Sequence, residues 1–243
     1  MNWDRFLKEE VTTPKGRKWL ESAGDWANNK IEAFNLSEVL PFVVEWVEEE
    51  GAIINPQNIV GTDHARYNQG MTWLQFLGGG KRIKTKLDVL ETKPEYYDDP
   101  ELHATDLEKW ILFEIGGELY VTVGNHRSVV AKFRAHEENV TAQWVHKVIH
   151  LTVSDDARDD YEKLQSAYLP FERDYGPEPE CVWCEGQDKR YKILVHLILH
   201  GLGGSRTHGK MEVADALTYV QRRNRIPRRL LDFFPNLWKR LHY

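Results

Sequence analysis

The stretch WILFEIGGELYVTVGNHRSVVAKF, residues 110–133, decides the fold that we predict for this chain. Two runs of apolar residues flank Gly116 and Gly117, and a tight hairpin turn prefers such a pair of glycines. The second run ends at Gly124. Residues 128–136 then place their apolar side chains on one side, which predicts a helix of about two turns. The stretch therefore predicts a β-hairpin followed directly by a helix.

The neighbouring residues extend this pattern to an α+β fold. Residues 144–153, WVHKVIHLTV, alternate and are rich in β-branched side chains, so we predict another strand and a crossover unit on a small mixed sheet. Upstream, residues 52–61 are predicted to be extended and broken at Pro56. Residues 62–82 then predict an irregular, mobile loop, and residues 84–106 predict a surface connection.

Both ends of the chain are predicted to be helical. Residues 37–50, SEVLPFVVEWVEEE, have apolar residues at helical spacing after a capping Ser37, and shorter helical patterns precede them at 4–10 and 17–26. Beyond residue 154 the charged sequence predicts one helix, a linker rich in Pro and Gly, and two to four further helices. The predicted parts are an N-terminal extension, a core and a mainly helical C-terminal region, at residues 1–50, 51–153 and 154–243.

The composition indicates a folded protein rather than a membrane or disulfide-rich one. The chain has 243 residues, 41% of them hydrophobic, a formal net charge of −6 and two cysteines. No run approaches the roughly 20 apolar residues that a membrane span needs, and the start lacks the basic and then apolar pattern of a signal peptide. We therefore expect a cytoplasmic protein with no membrane partner.

The junction between the second strand and the helix has the features of an anion-binding site. The first N–H groups of a helix offer donors and a positive dipole end to an anion. Arg127 adds a planar fork of donors that suits phosphate, and His126 can transfer a proton near neutral pH. We predict that Gly124, Asn125, His126, Arg127 and Ser128 bind phosphate, with Ser128 as the helix cap and Asn125, His126 and Arg127 exposed. The alternative is that Arg127 pairs with an acidic residue of the protein and that His126 only caps the turn.

The sequence GELYVTVGNHRSVVAKF, residues 117–133, resembles the central motif of the ParB/sulfiredoxin superfamily. In that superfamily a glycine, one or two polar residues and an arginine open a helix after a strand. The resemblance covers residues 108–153. It implies an α+β, ParB/sulfiredoxin-like core with a small mixed sheet and packed helices, to which helical N- and C-terminal parts are added.

The resemblance also implies that the junction binds a nucleotide. Members of the superfamily include partition proteins that bind and hydrolyse CTP, sulfiredoxins that use ATP, free serine kinases, nuclease-like proteins and some ADP-ribosylating toxins. By position, Gly124, His126 and Arg127 would bind the phosphates of ATP or CTP. We expect phosphoryl or nucleotidyl chemistry, assisted by Mg²⁺, on a nucleotide or a phosphorylated small molecule.

The motif departs from the family at two positions. Val123 stands where members often have an acidic residue, and Asn125 stands where partition proteins have a glutamate and sulfiredoxins a reactive cysteine. The sequence therefore does not predict sulfiredoxin activity, and any general base must come from another segment.

Candidate catalytic residues lie upstream of the motif. Asp63 and His64 are neighbours, and a carboxylate can orient an imidazole or bind a metal. We take these two residues, with His126, as the candidate acid–base groups; the alternative is that they only form a turn. Other candidate bases lie on the predicted helix that ends at residue 50, namely Glu45, Glu48 and Glu49.

Four residues of the C-terminal region have the spacing of a zinc site. A CxxC pair is followed, eleven residues later, by HxxxH on a predicted helix, where the two histidines would share one face. The alternative is a core helix with buried histidines, because the residues around them are apolar. The candidate zinc ligands are Cys181, Cys184, His196 and His200.

The end of the chain is basic. From residue 201 onward there are nine Lys and Arg against three Asp and Glu, so this part carries +6 and residues 1–200 carry −12. Five arginines within eight residues would contact the phosphates of DNA without choosing a sequence, or would pair with the acidic residues 154–174. They are Arg222, Arg223, Arg225, Arg228 and Arg229.

Three functional hypotheses follow from these features. The first is an enzyme or switch that binds ATP or another nucleotide at the junction. The second is a DNA-binding partition or mobile-element protein that uses its basic end, and the third is ADP-ribosyl transfer of the toxin type. The acidic body argues against extensive DNA contact by the core.

Overall fold

The computed structural model describes residues 13–100, 102, 109–168, 178–183, 190–201 and 204–224. The α-helices in these residues are α1 Pro14–Ser22, α2 Leu36–Val39, α3 Trp73–Gly79, α4 Ile83–Thr92, α5 Asn125–Glu138, α6 Asp155–Tyr168 and α7 Val213–Asn224. The strands are β1 Glu32–Ala33, β2 Val43–Glu50, β3 Ile53–Ile54, β4 Ile59–Thr62, β5 Ile111–Ile115, β6 Glu118–Val123, β7 Gln143–Trp144, β8 Lys147–Val153, β9 Glu178–Trp183, β10 Arg190–Gly201 and β11 Gly204–Met211. In this part of the chain no helix has both the length and the apolar character to cross a membrane.

The chain divides into two compact units. The first takes in the described residues up to Asn35 together with Val47–Leu151. The second takes in Leu36–Trp46 and the described residues from Thr152 onward. The strand–junction–helix stretch from which the fold was predicted lies wholly in the first unit.

The first unit contains a mixed sheet of six strands. Their order is β1, β4, β6, β5, β8 and the C-terminal part of β2. β4 runs parallel to β1 and β6, whereas β5 runs antiparallel to β6 and parallel to β8. The chain thus leaves β6, passes through α5 and returns to the sheet beside β5. The predicted mixed sheet is confirmed.

β5 and β6 form the predicted hairpin. Ile115 pairs with Glu118 across the turn. Gly116 and Gly117 have φ angles of 60° and 88°, in the left-handed region that a tight primed turn requires at both central positions. Glycine adopts this region without the strain that a Cβ atom would introduce, so the local sequence alone specifies the turn.

α5 lies at the centre of the first unit. Ten of its fourteen residues are buried, so the helix is enclosed on most sides rather than on the single side that its sequence predicts. Val129, Val130 and Phe133 belong to one apolar core with Trp19 and Trp110. A helix that is packed in this way holds its first turn, at the end of β6, in a fixed position.

Lys132 of α5 is buried among apolar groups. Only 5% of the residue is exposed, and its Nζ donates hydrogen bonds to the carbonyl oxygens of Gln57 at 2.8 Å and Ile59 at 2.7 Å. The same nitrogen lies 5.4 Å and 5.3 Å from the ring centroids of Trp26 and Trp73. Burial lowers the pKa of Lys132 to about 8, because the charged ammonium loses its water.

His150 on β8 lies between two acidic residues. Its Nδ1 is 3.0 Å from Oε2 of Glu114, and its Nε2 is 3.0 Å from Oε2 of Glu49. Burial disfavours the charged imidazole, but the hydrogen bonds and charges of the two carboxylates outweigh burial and raise the pKa of His150.

The second unit combines helices with an antiparallel sheet. β10 pairs with β9 on one side and β11 on the other. The helical prediction for the apolar run in residues 190–201 is therefore wrong. Such a run fits a strand or a helix equally well by periodicity, and its pairing partners decide between them. One hydrophobic core cluster of this unit is formed by the buried side chains Tyr161, Leu164, Val195, Leu197, Ala216, Leu217 and Val220.

Three other segments differ from their predictions. Of the helix predicted over residues 37–50, only α2 and a 3-10 turn at Leu40–Phe42 are helical, because Pro41 has no N–H to continue the α-helix and VVEWVEEE then forms β2. Residues 62–82, predicted as a loop, contain α3, which begins with a capping box of Thr72 and Gln75. The predicted surface connection contains α4. The predicted helix at residues 4–10 lies outside the described residues.

Candidate functional site

Two parallel strands end side by side at the candidate site. β4 ends at Thr62 and β6 at Val123, and because they run parallel their carboxyl ends meet at one edge of the sheet. The Thr62 hydroxyl donates to the carbonyl oxygen of Val121 at 2.7 Å and accepts from the His64 N–H at 3.1 Å. These bonds fix the turn that follows β4 against the end of β6.

A cavity of about 410 Å³ opens at this edge. Three segments form it: the turn after β4, the start of α4 with the residues before it, and the junction between β6 and α5. Its lining residues are His64, Arg66, Tyr67, Lys81, Arg82, Lys86, Thr122, Val123, Gly124, Asn125, His126 and Arg127. The junction predicted from the sequence is therefore part of a cavity to which two other segments contribute.

The cavity is strongly cationic. Five of its lining residues are Lys or Arg and two are His, and no Asp or Glu is found among the lining residues in the described part of the chain. Charges of one sign in a concave site raise the local concentration of the opposite ion. The cationic members are Arg66, Lys81, Arg82, Lys86 and Arg127. Such a lining favours an anion with several negative charges.

Gly124 fixes the sharp change from strand to helix. Its φ is 99°, and a Cβ atom at this position would lie 2.7 Å from Cδ1 of Trp110. Both facts require glycine, because other residues rarely adopt this φ and because the indole leaves no room. The Trp110 Nε1–H also donates to Oγ of Ser128 at 2.8 Å. Trp110 thus holds the glycine and the first turn of α5 together.

The first three residues of α5 line the cavity. The helix begins at Asn125 after Gly124, which has no side chain to cap it. The Ser128 N–H is bonded to the Gly124 carbonyl oxygen at 3.0 Å, so the N–H groups of residues 125–127 precede the first intrahelical bond. Together with the dipole of a fourteen-residue helix, they favour a phosphate or carboxylate at this end.

Two expectations about the junction are wrong. Ser128 is not the helix cap: it is fully buried inside the first turn, where its hydroxyl donates to the Gly124 carbonyl oxygen at 3.2 Å. Ser128 also does not line the cavity. Asn125 and Arg127 are 9% and 1% exposed, so of the three polar residues only His126 has a partly exposed surface.

Arg127 forms part of the buried wall of the cavity. Its Cζ lies 5.9 Å from the ring centroid of Trp110, a cation–π distance. Its charge also reaches Tyr97: burial raises the pKa of Tyr97, and the nearby Arg127 acts in the opposite direction. The guanidinium is therefore held in place by packing, which orients it before any ligand arrives.

His64 and His126 are brought together through Tyr67. The Tyr67 hydroxyl is 3.4 Å from Nε2 of His126, and the rings of His64 and Tyr67 are 4.6 Å apart. The ring of Phe76 stacks on the ring of Tyr67, with 4.1 Å between their centroids. Burial raises the pKa of Tyr67, although Arg66 acts against this effect through its charge and a hydrogen bond. Tyr67 therefore remains a neutral hydrogen-bond donor near pH 7.

The acidic candidates do not line the cavity. Asp63 is next to His64, and its N–H donates to the carbonyl oxygen of Val121 at 3.2 Å, but it is not among the lining residues.

The three glutamates of the predicted helix lie on β2 instead. Glu48 is 2.6 Å from Nζ of Lys147, and Glu49 contacts His150. Glu45 accepts a 3.5 Å hydrogen bond from Thr152. The candidate proton-transfer groups in the cavity are thus the two histidines and Tyr67.

The zinc and DNA predictions fall mainly outside this site. His196 and His200 lie on the strand β10, so the helical turn that was expected to bring the two side chains together is absent there. Cys181 lies on β9. Cys184 lies outside the described residues, so the zinc set as a whole stays a prediction. Among the described residues no group of three or more His, Cys, Asp or Glu could hold a metal ion.

The arginines proposed to contact DNA are only partly described. Arg222 is exposed on α7, and Arg223 belongs to the same helix. Arg225, Arg228 and Arg229 lie outside the described residues. DNA binding by the basic end therefore stays a prediction.

Four basic residues and one tyrosine of the cavity were not predicted from the sequence. Residues 81–86, KRIKTK, contain four Lys and Arg, and this basic run in an acidic body was the available signal. The run follows a triple glycine. The glycines and the first part of the run were assigned to the predicted loop, and the rest of the run was assigned to the predicted surface connection. The residues missed in this way are Arg66, Tyr67, Lys81, Arg82 and Lys86.

The chain matches no protein-family model, no curated protein and no solved structure. The functional conclusion therefore rests on the geometry of the cavity and on the motif around Gly124.

Proposed function

We propose that the cationic cavity binds the phosphates of a nucleotide, ATP or another nucleoside triphosphate, and that the chain carries out phosphoryl or nucleotidyl chemistry there. The proposal depends above all on one observation: five Lys and Arg side chains and the first turn of α5 surround one cavity whose described lining has no acidic residue. Phosphoryl groups carry the charge that such a lining neutralises.

The size of the cavity favours a nucleotide over a single phosphate ion. A volume of about 410 Å³ lies in the range of roughly 300–1,000 Å³ that is typical of small-molecule sites. Tyr67 and His64 add two aromatic rings to the lining beside the charges. The motif at residues 117–133 supports the same ligand, because it resembles the phosphate-binding junction of the ParB/sulfiredoxin superfamily, and we propose that the first unit is a core of that type.

Each group has a role that its position favours. The N–H groups of residues 125–127 and the Arg127 guanidinium would hold phosphate oxygens, and Lys81, Arg82 and Lys86 would neutralise the remaining charge. His126 would donate or accept the proton of the reaction, because it is partly exposed in the cavity and hydrogen-bonded to Tyr67. His64 is the second candidate for proton transfer.

A pair of lysines on α4 provides a direct test. Lys86 lines the cavity, whereas Lys84, two residues away on the same helix, does not and lies 3.9 Å from Asp88. Losing one charge-assisted contact to phosphate weakens binding by about 1.5–3 kcal/mol. We therefore expect Lys86→Gln to raise the Kd for ATP at least about tenfold. Lys84→Gln should change it less than about twofold.

Isothermal titration calorimetry of the two variants and the wild type measures this difference. Thermal unfolding without ligand serves as the control for folding, because Lys86 is half-buried whereas Lys84 is exposed. Equal affinities for Lys86→Gln and Lys84→Gln would show that the nucleotide does not use the cavity. A wild-type protein that binds no nucleotide at millimolar concentration would contradict the proposed function as a whole.

A further inference from the structure

The described residues that line the cavity offer no carboxylate to a metal ion. Mg²⁺ in nucleotide sites is usually held by one or two protein carboxylates together with the phosphates of the substrate. Among the described residues that line this cavity there is none. The acidic residues nearest in sequence to the lining are Asp63 and Asp88. Neither lines the cavity, and Asp88 is paired with Lys84 at 3.9 Å.

The cationic side chains supply the charge that Mg²⁺ supplies elsewhere. Arg66, Lys81, Arg82, Lys86 and Arg127 come from three separate segments of the chain and meet around one volume. The helix start adds a partial positive charge at the same place. A metal-bound triphosphate would bring a further cation into this set, and it would also arrive with about two fewer negative charges than the free triphosphate.

We infer that the cavity binds the polyphosphate part of its ligand free of divalent metal, so that Mg²⁺ competes with the protein for the ligand instead of assisting its binding. The inference rests on the proposed function and narrows its ligand class to metal-free nucleoside triphosphates and similar chains of phosphates. It replaces the Mg²⁺-assisted reaction that the sequence led us to expect.

Affinity should therefore follow the charge of the free ligand. In the absence of divalent metal, ATP should bind more tightly than ADP, and ADP more tightly than AMP, because each added phosphate meets more of the cationic lining. Excess Mg²⁺ should weaken ATP binding at least about tenfold, because it removes about two charges from the ligand. AMP chelates Mg²⁺ weakly, so its affinity should change less than about twofold.

Calorimetry on the full chain tests this with ATP, ADP and AMP as the probes. Each titration is carried out once with EDTA and once with excess MgCl₂, and NaCl is added to the first to match the ionic strength, because salt alone screens these charges. Lys84→Gln, outside the cavity, is titrated in parallel as a control and should behave as the wild type.

Each result separates this inference from the proposed function. Weaker ATP binding in Mg²⁺ with unchanged AMP binding supports the inference. Equal or tighter ATP binding in Mg²⁺ overturns it and leaves the nucleotide-binding function in place. Equal weakening of ATP and AMP also overturns it, because Mg²⁺ would then act on the protein rather than on the ligand. Absence of ATP binding under both conditions overturns the proposed function, and this inference with it.

Discussion

The substitution Gly124→Ala tests how the junction is built. At φ 99° an added Cβ introduces left-handed strain of about 1–2 kcal/mol. The same Cβ would lie 2.7 Å from Cδ1 and 3.1 Å from Cγ of Trp110, and overpacking of this kind costs about 1–3 kcal/mol more. We therefore expect Gly124→Ala to lower the free energy of unfolding by about 2–5 kcal/mol.

Gly117→Ala is the matched control. Gly117 also has a left-handed φ, 88°, but an added Cβ would meet nothing within 4 Å. Its replacement should therefore introduce the backbone strain alone, about 1–2 kcal/mol. Urea denaturation of both variants, followed by tryptophan fluorescence, separates the contribution of Trp110 from that of the backbone. Titration with ATP then compares the ligand affinity of the two folded variants.

The affinity for ATP should distinguish the two variants further. Moving Trp110 or the first turn of α5 would displace the N–H groups of residues 125–127, which line the cavity, so Gly124→Ala should weaken ATP binding at least about tenfold. Gly117→Ala lies at the other end of β6 and should bind ATP as the wild type does. Equal destabilisation by the two substitutions would refute the packing of Trp110 on Gly124. Full ATP affinity in Gly124→Ala would refute the role of the helix start.

Two further predictions concern titratable groups of the first unit, the buried Lys132 and the half-buried His150. The folded-state pKa of Lys132 is about 8, below the unfolded value of 10.5, so the unfolded chain binds more protons between these pH values. The stability of the wild type relative to Lys132→Met should therefore rise by about 3 kcal/mol from pH 8 to pH 10.5 in urea denaturation, and a flat difference would contradict the burial of a lysine with a lowered pKa. The pKa of His150 is raised, so its pairs with Glu49 and Glu114 stabilise the fold fully below about pH 6.5 and less as the pH rises through the folded-state value. The thermal stability of the wild type should exceed that of His150→Gln more at pH 6 than at pH 8.5, and an equal difference at both pH values would contradict this.

The parts of the fold that local chemistry specifies could be predicted from the sequence. The hairpin of β5 and β6 follows from two adjacent glycines that must both adopt a positive φ. The turn at Gly124 follows from a strand pattern that ends on glycine before polar residues. In both cases residues adjacent in the chain determine the structure, so no distant contact was needed for the prediction.

The parts that distant partners decide could not. β2 has apolar residues that fit a helix, yet it is a strand, and β10 is an apolar run whose state depends on β9 and β11. Apolar periodicity does not distinguish these outcomes when the partners are unknown. The apolar pattern of a helix also does not reveal that other elements will cover the helix on most of its sides, as they cover α5.

The candidate site shows the same division. The junction was predicted because its residues are consecutive, from Gly124 to Arg127. Lys81, Arg82 and Lys86 reach the same cavity from a segment about forty residues upstream, through the packing of α3 and α4 on the core. Their sequence showed a basic run, but not where it would lie. The burial of Arg127 and its packing against Trp110 likewise depend on contacts that the motif does not describe.

The most direct test of the central claim is a titration of ¹⁵N-labelled protein with ATP, followed through the backbone amide signals. If phosphates bind at the start of α5, the amide protons of Asn125, His126 and Arg127 should move strongly downfield and saturate together with those of Lys81 and Arg82. These signals staying in place while ATP binds elsewhere, or no signal moving at all, would contradict the claim that the helix start and the basic residues around it form a phosphate site.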